Sequence, residues 1–106
     1  MYIYPYGVYN VVMITDIKKR ATHRSKIIEG QFKGLLKNIE SEVYCMDILT
    51  QSLAIQKSLS SLNKLILENH LRTCAHDKLN SPDHTVKEQA LQELLHLYEL
   101  GNVRSK

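Results

Sequence analysis

Residues 45–69, CMDILTQSLAIQKSLSSLNKLILEN, decide the fold of this chain. A stripe of side chains repeats there at alternating steps of three and four: Cys45, Ile48, Ser52, Ile55, Leu59, Leu62, Ile66 and Asn69. This heptad spacing is typical of a helix that packs against other helices. No Gly or Pro occurs between Gly34 and Pro82, so we predict one helix over residues 43–77, roughly 50 Å long at ~1.5 Å per residue. Because a chain of 106 residues cannot cover such a helix alone, we expect an obligate oligomer.

Two further helices flank this segment. The first lies within residues 16–40, where apolar side chains recur every three or four positions: Ile28, Phe32, Leu35 and Ile39. Polar residues 40–42 supply a short turn. A third helix is predicted to be capped by Asp83 or Thr85 and to end at Gly101. With 4 Gly, 2 Pro and 7% aromatic residues, the composition also favours helices over strands and turns, and we predict an all-α chain of three helices.

The chain is predicted to consist of an N-terminal extension and one domain. Residues 1–12 hold Pro5, Gly7 and four of the six tyrosines, with no charge and no helical period, so we expect them to be disordered. Met13 begins a polar, basic stretch typical of a natural N-terminus, and translation is expected to start there. Residues 13–106 then form a single helical domain of ordinary size.

Composition and motifs exclude several classes. No run approaches the ~20 apolar residues that span a bilayer, and no signal peptide is visible, so we expect a cytoplasmic protein without membrane contact. Two cysteines are too few for a disulfide scaffold. No G-x-S-x-G, HExxH or glycine-rich phosphate loop occurs, and no nucleophile with an orienting partner can be assembled. An enzyme is therefore not expected.

Positive charge is concentrated at the front of the chain. Residues 1–37 carry seven basic and two acidic side chains, a net charge of +5, whereas residues 38–106 carry −2. The basic side chains are Lys18, Lys19, Arg20, Arg24, Lys26, Lys33 and Lys37. On a helix such a cluster serves nucleic acid, an anionic membrane or solubility alone, and the charge by itself does not choose among them.

The residues with metal-binding chemistry are Cys45, His70 and Cys74. His70 and Cys74 stand at i and i+4, on one helix face and able to share an ion. Cys45 lies 25 residues before His70, about 38 Å along a continuous helix, so only a second, antiparallel chain could bring it to them. Two thiolates and one imidazole favour Cu(I) or Zn(II). The alternative is that Cys45 is a core residue and that the other two cap a helix end.

Three stretches together resemble one known family. They are HRSKIIEGQFKGLLKNIES at 23–41, YCMDILTQSLAIQKSL at 44–59 and ENHLRTC at 68–74. In this order and spacing they resemble the copper-sensitive operon repressor (CsoR) family of bacterial metal-responsive transcriptional repressors, over residues 16–100 or so. The resemblance implies an antiparallel helix-bundle dimer that assembles into a dimer-of-dimers homotetramer. It also implies that the apo form binds operator DNA and that the Cu(I) form releases it, derepressing copper-resistance genes.

The resemblance implies a Cu(I) site made by Cys45 of one chain and by His70 and Cys74 of its neighbour. Tyr44 and Glu93 match residues that hydrogen-bond around the histidine in copper-responsive members. Relatives that sense persulfide lack the histidine, nickel and cobalt sensors recruit an additional N-terminal histidine, and formaldehyde sensors lack the second cysteine, so the set present here favours copper. A persulfide- or thiol-sensing repressor and a copper buffer without DNA binding stay open as alternatives, and a copper chaperone is the expected donor.

For DNA, the resemblance points to Arg24, which matches a basic residue that the family uses on its first helix. The other basic residues of the N-terminal cluster extend this surface. A family arginine on the second helix corresponds here to Ser61, and Lys64 one turn on is the nearest substitute. The remaining histidines match no ligand role and are expected on the surface or at interfaces: His23, His76, His84 and His96.

Overall fold

The structure, a computed structural model, describes residues 13–102, and all its regular elements are helical. In chain order these are α1 (Thr15–Glu40), α2 (Cys45–His70), a π-helical segment (Leu71–Ala75), α3 (His76–Leu79) and α4 (His84–Asn102). The all-α prediction is confirmed. Helical structure runs without a break over 45–79, as the heptad stripe predicts, and α4 is the predicted third helix.

The helix ends follow from local capping. The Tyr44 carbonyl accepts the N–H groups of Asp47 and Ile48 at 3.0 and 3.2 Å, which begins α2 after a turn in which Glu42 has a φ of 53°. At the start of α4, Asp83 Oδ1 accepts the N–H of Thr85 at 2.9 Å. Asp83, rather than Thr85, is therefore the cap that satisfies a free backbone donor. The helix runs one residue past its predicted end at Gly101.

The described chain comprises two compact units, residues 13–69 and residues 70–102. The predicted extension at residues 1–12 lies outside the described residues, as do residues 103–106. In the first unit, α1 buries Ile17, Ala21 and Ile28, and α2 buries Ile55. In the second, small buried residues on the π-helical segment and on α4, Ala75 and Ala90, permit close packing.

Two neutral hydrogen bonds join α1 to α2. Asn69, only 3% exposed, accepts the backbone N–H of Ile14 through Oδ1 at 2.8 Å. Near the turn, Asn38 Nδ2 donates to Gln51 Oε1 at 2.9 Å. These bonds fix the pairing of the helices near both ends, because a buried polar group without its partner costs free energy.

Large apolar side chains remain exposed on both long helices. Phe32 and Ile39 of the predicted α1 stripe are about half exposed, and Met46, Leu49 and Leu53 of α2 are more than half exposed. Their helix faces have no partner within the described chain. Within residues 13–102, no helix combines the length and the apolar content that crossing a bilayer needs.

Candidate functional site

His70 closes α2 and lies beside a carboxylate from α4. Its Nε2 is 3.6 Å from Glu93 Oε2, and the side chains of the two residues are about one-third and one-quarter exposed. The other oxygen of the carboxylate, Glu93 Oε1, accepts a hydrogen bond from Lys78 Nζ at 3.0 Å. Because Nε2 is the ring nitrogen near the carboxylate, Nδ1 is the one left for a metal ion.

Cys74 lies four residues after His70, inside the π-helical segment. Its thiol is free and half-buried, and Thr73 Oγ1 donates to its Sγ at 3.8 Å. Single π turns within α-helices occur frequently at functional sites. The π-helical segment begins directly after His70 and contains Cys74. It is the one place in residues 45–79 where the α-helical pattern is interrupted.

Cys45 is the first residue of α2, and its free thiol is exposed. Tyr44, directly before it, is 70% exposed. A helix of 26 residues is about 39 Å long, so the first and last residues of α2 cannot share one ion. Among the described residues 13–102, no three His, Cys, Asp or Glu side chains of the single chain are grouped to hold a metal.

The available donors fit a soft metal. Two thiols and an imidazole nitrogen match Cu(I) or Zn(II), and they do not suit Mg²⁺ or Ca²⁺, which prefer oxygen. The chain presents these donors at two separate places, one holding Cys45 and one holding His70 with Cys74. Within residues 13–102, no single place therefore holds all three of these donors.

Several basic residues of the first unit line two different grooves between α1 and α2. One groove, which we call the basic groove, is lined by Asp16, Lys19, Arg20, His23, Arg24, Ser61, Lys64, Leu65 and Glu68. Lys64 thus shares a groove with Arg24 and with Ser61, the residue at the position of the family arginine. A second groove is lined in part by Lys18, Lys26 and the apolar Leu62 and Ile66.

The predicted DNA-binding residues are therefore divided among different faces. Lys19, Arg20, Arg24 and Lys64 lie in the basic groove, whereas Lys18 and Lys26 lie in the second groove. Lys33 and Lys37 are exposed farther along α1, outside the residues that line the basic groove. Arg24 is the least exposed of the basic residues on α1.

Sequence reasoning missed two residues of these sites. Lys78 was assigned no role, yet it binds the carboxylate beside His70. His23 was expected on the surface or at an interface, without a ligand role, and it is one of the exposed residues that line the basic groove. For His23 a signal was available, since it stands one turn after the basic pair Lys19 and Arg20. For Lys78 none was, because its contact depends on how the chain reverses before α4.

Paired long helices, thiol and imidazole donors and a basic groove are the features expected of a metal-responsive DNA-binding protein. A model of the metal-sensitive transcriptional repressor family matches residues 17–99, and the chain belongs to this family. The resemblance to the CsoR family is confirmed. The family role is transcriptional repression, which is not an enzymatic role.

Individual relatives are consistent with this assignment. The chain is 38% identical over 82 residues to the copper-sensing transcriptional repressor CsoR of Bacillus subtilis, covering 77% of this chain and 78% of that protein. It is 41% identical over 61 residues to CsoR of Mycobacterium ulcerans, covering 58% of this chain and 52%, about half, of that relative.

A solved structure shares the fold. The crystal structure of the copper-sensing repressor CsoR with Cu(I) from Geobacillus thermodenitrificans NG80-2 matches with a TM-score of 0.72 and 31% identity. The match covers 84% of this chain and 90% of that one. The predicted fold class is thus supported by a structural neighbour as well as by the sequence.

Proposed function

We propose that this protein is a copper(I)-responsive transcriptional repressor. Its apo form binds operator DNA, and Cu(I) bound between two chains releases the DNA. Cys45 of one chain would hold the ion together with His70 and Cys74 of another, and the metal would supply bonds that join the two chains. The observation that carries the proposal is the placement of soft donors at both ends of one long helix, in a chain with a basic groove.

Exposed apolar side chains support the dimer that this site requires. Met46, Leu49 and Leu53 follow Cys45 on α2, and Leu53 is 63% exposed. Contiguous apolar surface of this kind marks an interface between proteins. An antiparallel pairing of two α2 helices would cover it and would bring the two halves of the metal site together twice in each dimer. A dimer of such dimers is the proposed homotetramer.

Tyr44 and Glu93 are proposed to assist His70. Glu93 Oε2 already faces His70 Nε2 at 3.6 Å within one chain. Tyr44 is 70% exposed beside Cys45, so its hydroxyl is available to a neighbouring chain. A hydrogen-bond acceptor at the second nitrogen fixes the orientation of a metal-binding imidazole.

The basic groove is the proposed centre of the DNA-binding surface. Lys19, Arg20, Arg24 and Lys64 project from two helices into one groove, and repetition over four chains would present many cations to the phosphates. Such contacts position a protein on DNA and make its affinity depend on salt, but they do not select a sequence. The remaining basic residues of α1 would add to the surrounding potential.

An anaerobic titration tests the proposal directly. Fluorescence anisotropy of labelled promoter DNA is measured with apo protein and then with one Cu(I) per chain. We expect tight, salt-dependent binding by the apo form and release by the copper form. Couplings between two ligands are typically about 1–3 kcal/mol, and linkage requires that DNA weaken Cu(I) binding by the same factor. Equal DNA affinity with and without copper would contradict the proposal.

Mixing two inactive variants tests whether the site is shared. Cys45→Ala and Cys74→Ala chains each lack one ligand, so neither homodimer should bind Cu(I) normally. A mixed dimer has one intact site and one site that lacks both thiols. We expect mixing to restore up to one site per mixed dimer, and no recovery after confirmed chain exchange would rule out a bridging site.

A thiol-sensing repressor of the same fold is the second candidate. It is favoured by one observation, the free state of both thiols, one exposed and one half-buried. Thiolates react with persulfides and oxidants without needing an imidazole. His70→Ala separates the two candidates, since it should abolish the response to Cu(I) and leave a response to persulfide. A copper buffer would instead bind Cu(I) normally and show no DNA shift.

Location and metal delivery complete the proposal. A repressor acts where the chromosome is, so we propose a cytoplasmic protein. Delivery of Cu(I) by a copper chaperone stays a prediction. It is tested by whether a Cu(I)-loaded chaperone transfers its ion to the apo repressor faster than free exchange through a chelator allows.

A further inference from the structure

One carboxylate contacts both a candidate metal ligand and a lysine. Glu93 Oε1 is 3.0 Å from Lys78 Nζ, a hydrogen-bond distance, while Glu93 Oε2 is 3.6 Å from His70 Nε2, just beyond one. The Lys78 and Glu93 side chains are 22% and 27% exposed, so water screens their ion pair less than it screens a surface pair.

We propose that Lys78 is a positioning residue, which holds the Glu93 carboxylate so that its second oxygen faces His70. The carboxylate then favours the imidazole proton on Nε2 and leaves the lone pair of Nδ1 for a metal ion. The link to copper rests on the function proposed above. The arrangement of Lys78, Glu93 and His70 stands on the distances within one chain.

The relative strength of the two contacts explains why Lys78 controls the carboxylate. An ammonium–carboxylate hydrogen bond is about twice as strong as one between neutral groups, and here it is also the shorter contact. A neutral His70 imidazole at 3.6 Å stabilises the position of the Glu93 carboxylate much less. Without the lysine, a glutamate side chain gains rotamer freedom and hydration by turning outward, and His70 loses its acceptor.

The elements that carry the three residues make this contact specific. Lys78 comes from α3, only four residues long, and Glu93 from α4, so the ion pair joins the two elements across the loop at 80–83. His70 is the last residue of α2. Lys78 therefore ties the element that follows Cys74 to the helix that supplies the acceptor for His70.

Histidine tautomers in the apo protein provide a test that needs neither copper nor DNA. Full-length protein labelled with ¹⁵N in histidine is studied by long-range ¹H–¹⁵N correlation, at a pH where the His70 ring is neutral. The His70→Ala variant assigns its signals. We expect the Nε2–H form to predominate in the wild type and the ratio of Nε2–H to Nδ1–H to fall in Lys78→Met, by at most about fivefold, the size of one full hydrogen bond.

Matched variants separate positioning from general damage to the fold. Lys78→Arg keeps the cation and should retain the wild-type ratio, whereas Glu93→Gln should shift it as Lys78→Met does. Lys87→Met makes the same change on α4 and should have no effect. If Lys78→Met does not fold by circular dichroism, Lys78→Gln takes its place. The proposal would be overturned if Lys78→Met, or Lys78→Gln in its place, kept the wild-type ratio of Nε2–H to Nδ1–H or raised it. It would also be overturned if Lys78→Arg lowered this ratio as much as the neutral substitution does.

The same variants then report on copper. Lys78→Met should reduce the coupling between Cu(I) and DNA, and Lys78→Arg should preserve it. If wild-type protein is not released from DNA by Cu(I), the proposed function fails while the tautomer result stands. If Cu(I) releases the wild-type protein from DNA but the His70 tautomer ratio is the same with and without Lys78, only the positioning role fails.

Discussion

The two units of this chain use charge in opposite ways. Residues 13–69 bury a few apolar side chains and form two neutral hydrogen bonds between distant parts of the unit, and their cations are exposed or line open grooves. In residues 70–102 charged side chains are partly buried and bind one another beside the candidate metal ligands. In the proposed function, the first unit would offer several cations to the phosphates of DNA, whereas the second would depend on a few atoms at fixed distances.

Removal of the Cys74 thiol should cause the largest effect of all, a loss of Cu(I) affinity, and should leave DNA binding by the first unit unchanged. Cys74→Ala deletes one of the three proposed donors, so Cu(I) affinity should fall more than about 100-fold, beyond the 10- to 100-fold typical of residues that merely support a ligand. Competition with a Cu(I) chelator measures this, while apo DNA affinity should stay within twofold. His76→Ala, an exposed histidine two residues on, is the control. Unchanged copper affinity would contradict the site.

Loss of the Asn69 hydrogen bond should weaken the first unit. Asn69→Ala leaves the Ile14 N–H without its acceptor and deletes a buried side chain, which should lower the free energy of unfolding by about 1–3 kcal/mol. Urea unfolding at fixed protein concentration measures the change. Asn63→Ala, exposed on the same helix, should change it by less than about 0.5 kcal/mol. Equal effects of the two substitutions would show that the buried bond contributes nothing.

Substitution of a single cation in the basic groove should weaken DNA binding without changing Cu(I) binding. Arg24→Ala should weaken DNA binding to all sequences and reduce the slope of log K against log salt by about one unit for each chain that contacts a phosphate. Cu(I) affinity of the free protein should not change. Lys57→Ala removes an exposed cation outside the groove and serves as the control. A similar loss of slope in that control would mean that overall charge, and not the groove, attracts DNA.

The smallest effect is expected from an acidic residue in the same groove. Asp16 Oδ2 lies 3.7 Å from Arg20 Nη1, and both side chains are more than half exposed, so their pair stabilises the helix by less than about 0.5 kcal/mol. Asp16→Asn frees the guanidinium and removes a repulsive charge, and DNA affinity should rise no more than about threefold. Asp47→Asn on α2 should not change it. Weaker binding by the Asp16 variant would show that this ion pair orients Arg20 for DNA.

Much of the fold was predictable because it depends on local periodicity. The alternating steps of three and four from Cys45 to Asn69 predicted the long helix, and the absence of Gly and Pro predicted its continuity. The π-helical turn at Leu71–Ala75 has no such signal. Nor did spacing reveal that Phe32 and Ile39 would stay half exposed, since periodicity identifies an apolar face without identifying what covers it.

The residues of the candidate site also fall into those that the sequence predicted and those that it did not. Cys45, His70 and Cys74 were recognisable by chemistry and spacing, and the resemblance to the CsoR family pointed to Glu93. The structure brings that carboxylate next to His70. Lys78 could not have been identified as the partner of Glu93 from the sequence, because no local pattern around Lys78 predicts a contact with a residue fifteen positions later.

By itself the sequence determined the helices, their apolar faces, the soft donors and the surplus of positive charge near its front, because each is a property of neighbouring residues. Tertiary structure decided which groups meet. It placed Lys64 in one groove with Arg24, set Asn69 against Ile14 and put Glu93 between Lys78 and His70. The physical reason is that these contacts depend on where the chain turns and how two helices pack, and small changes in either would pair different atoms.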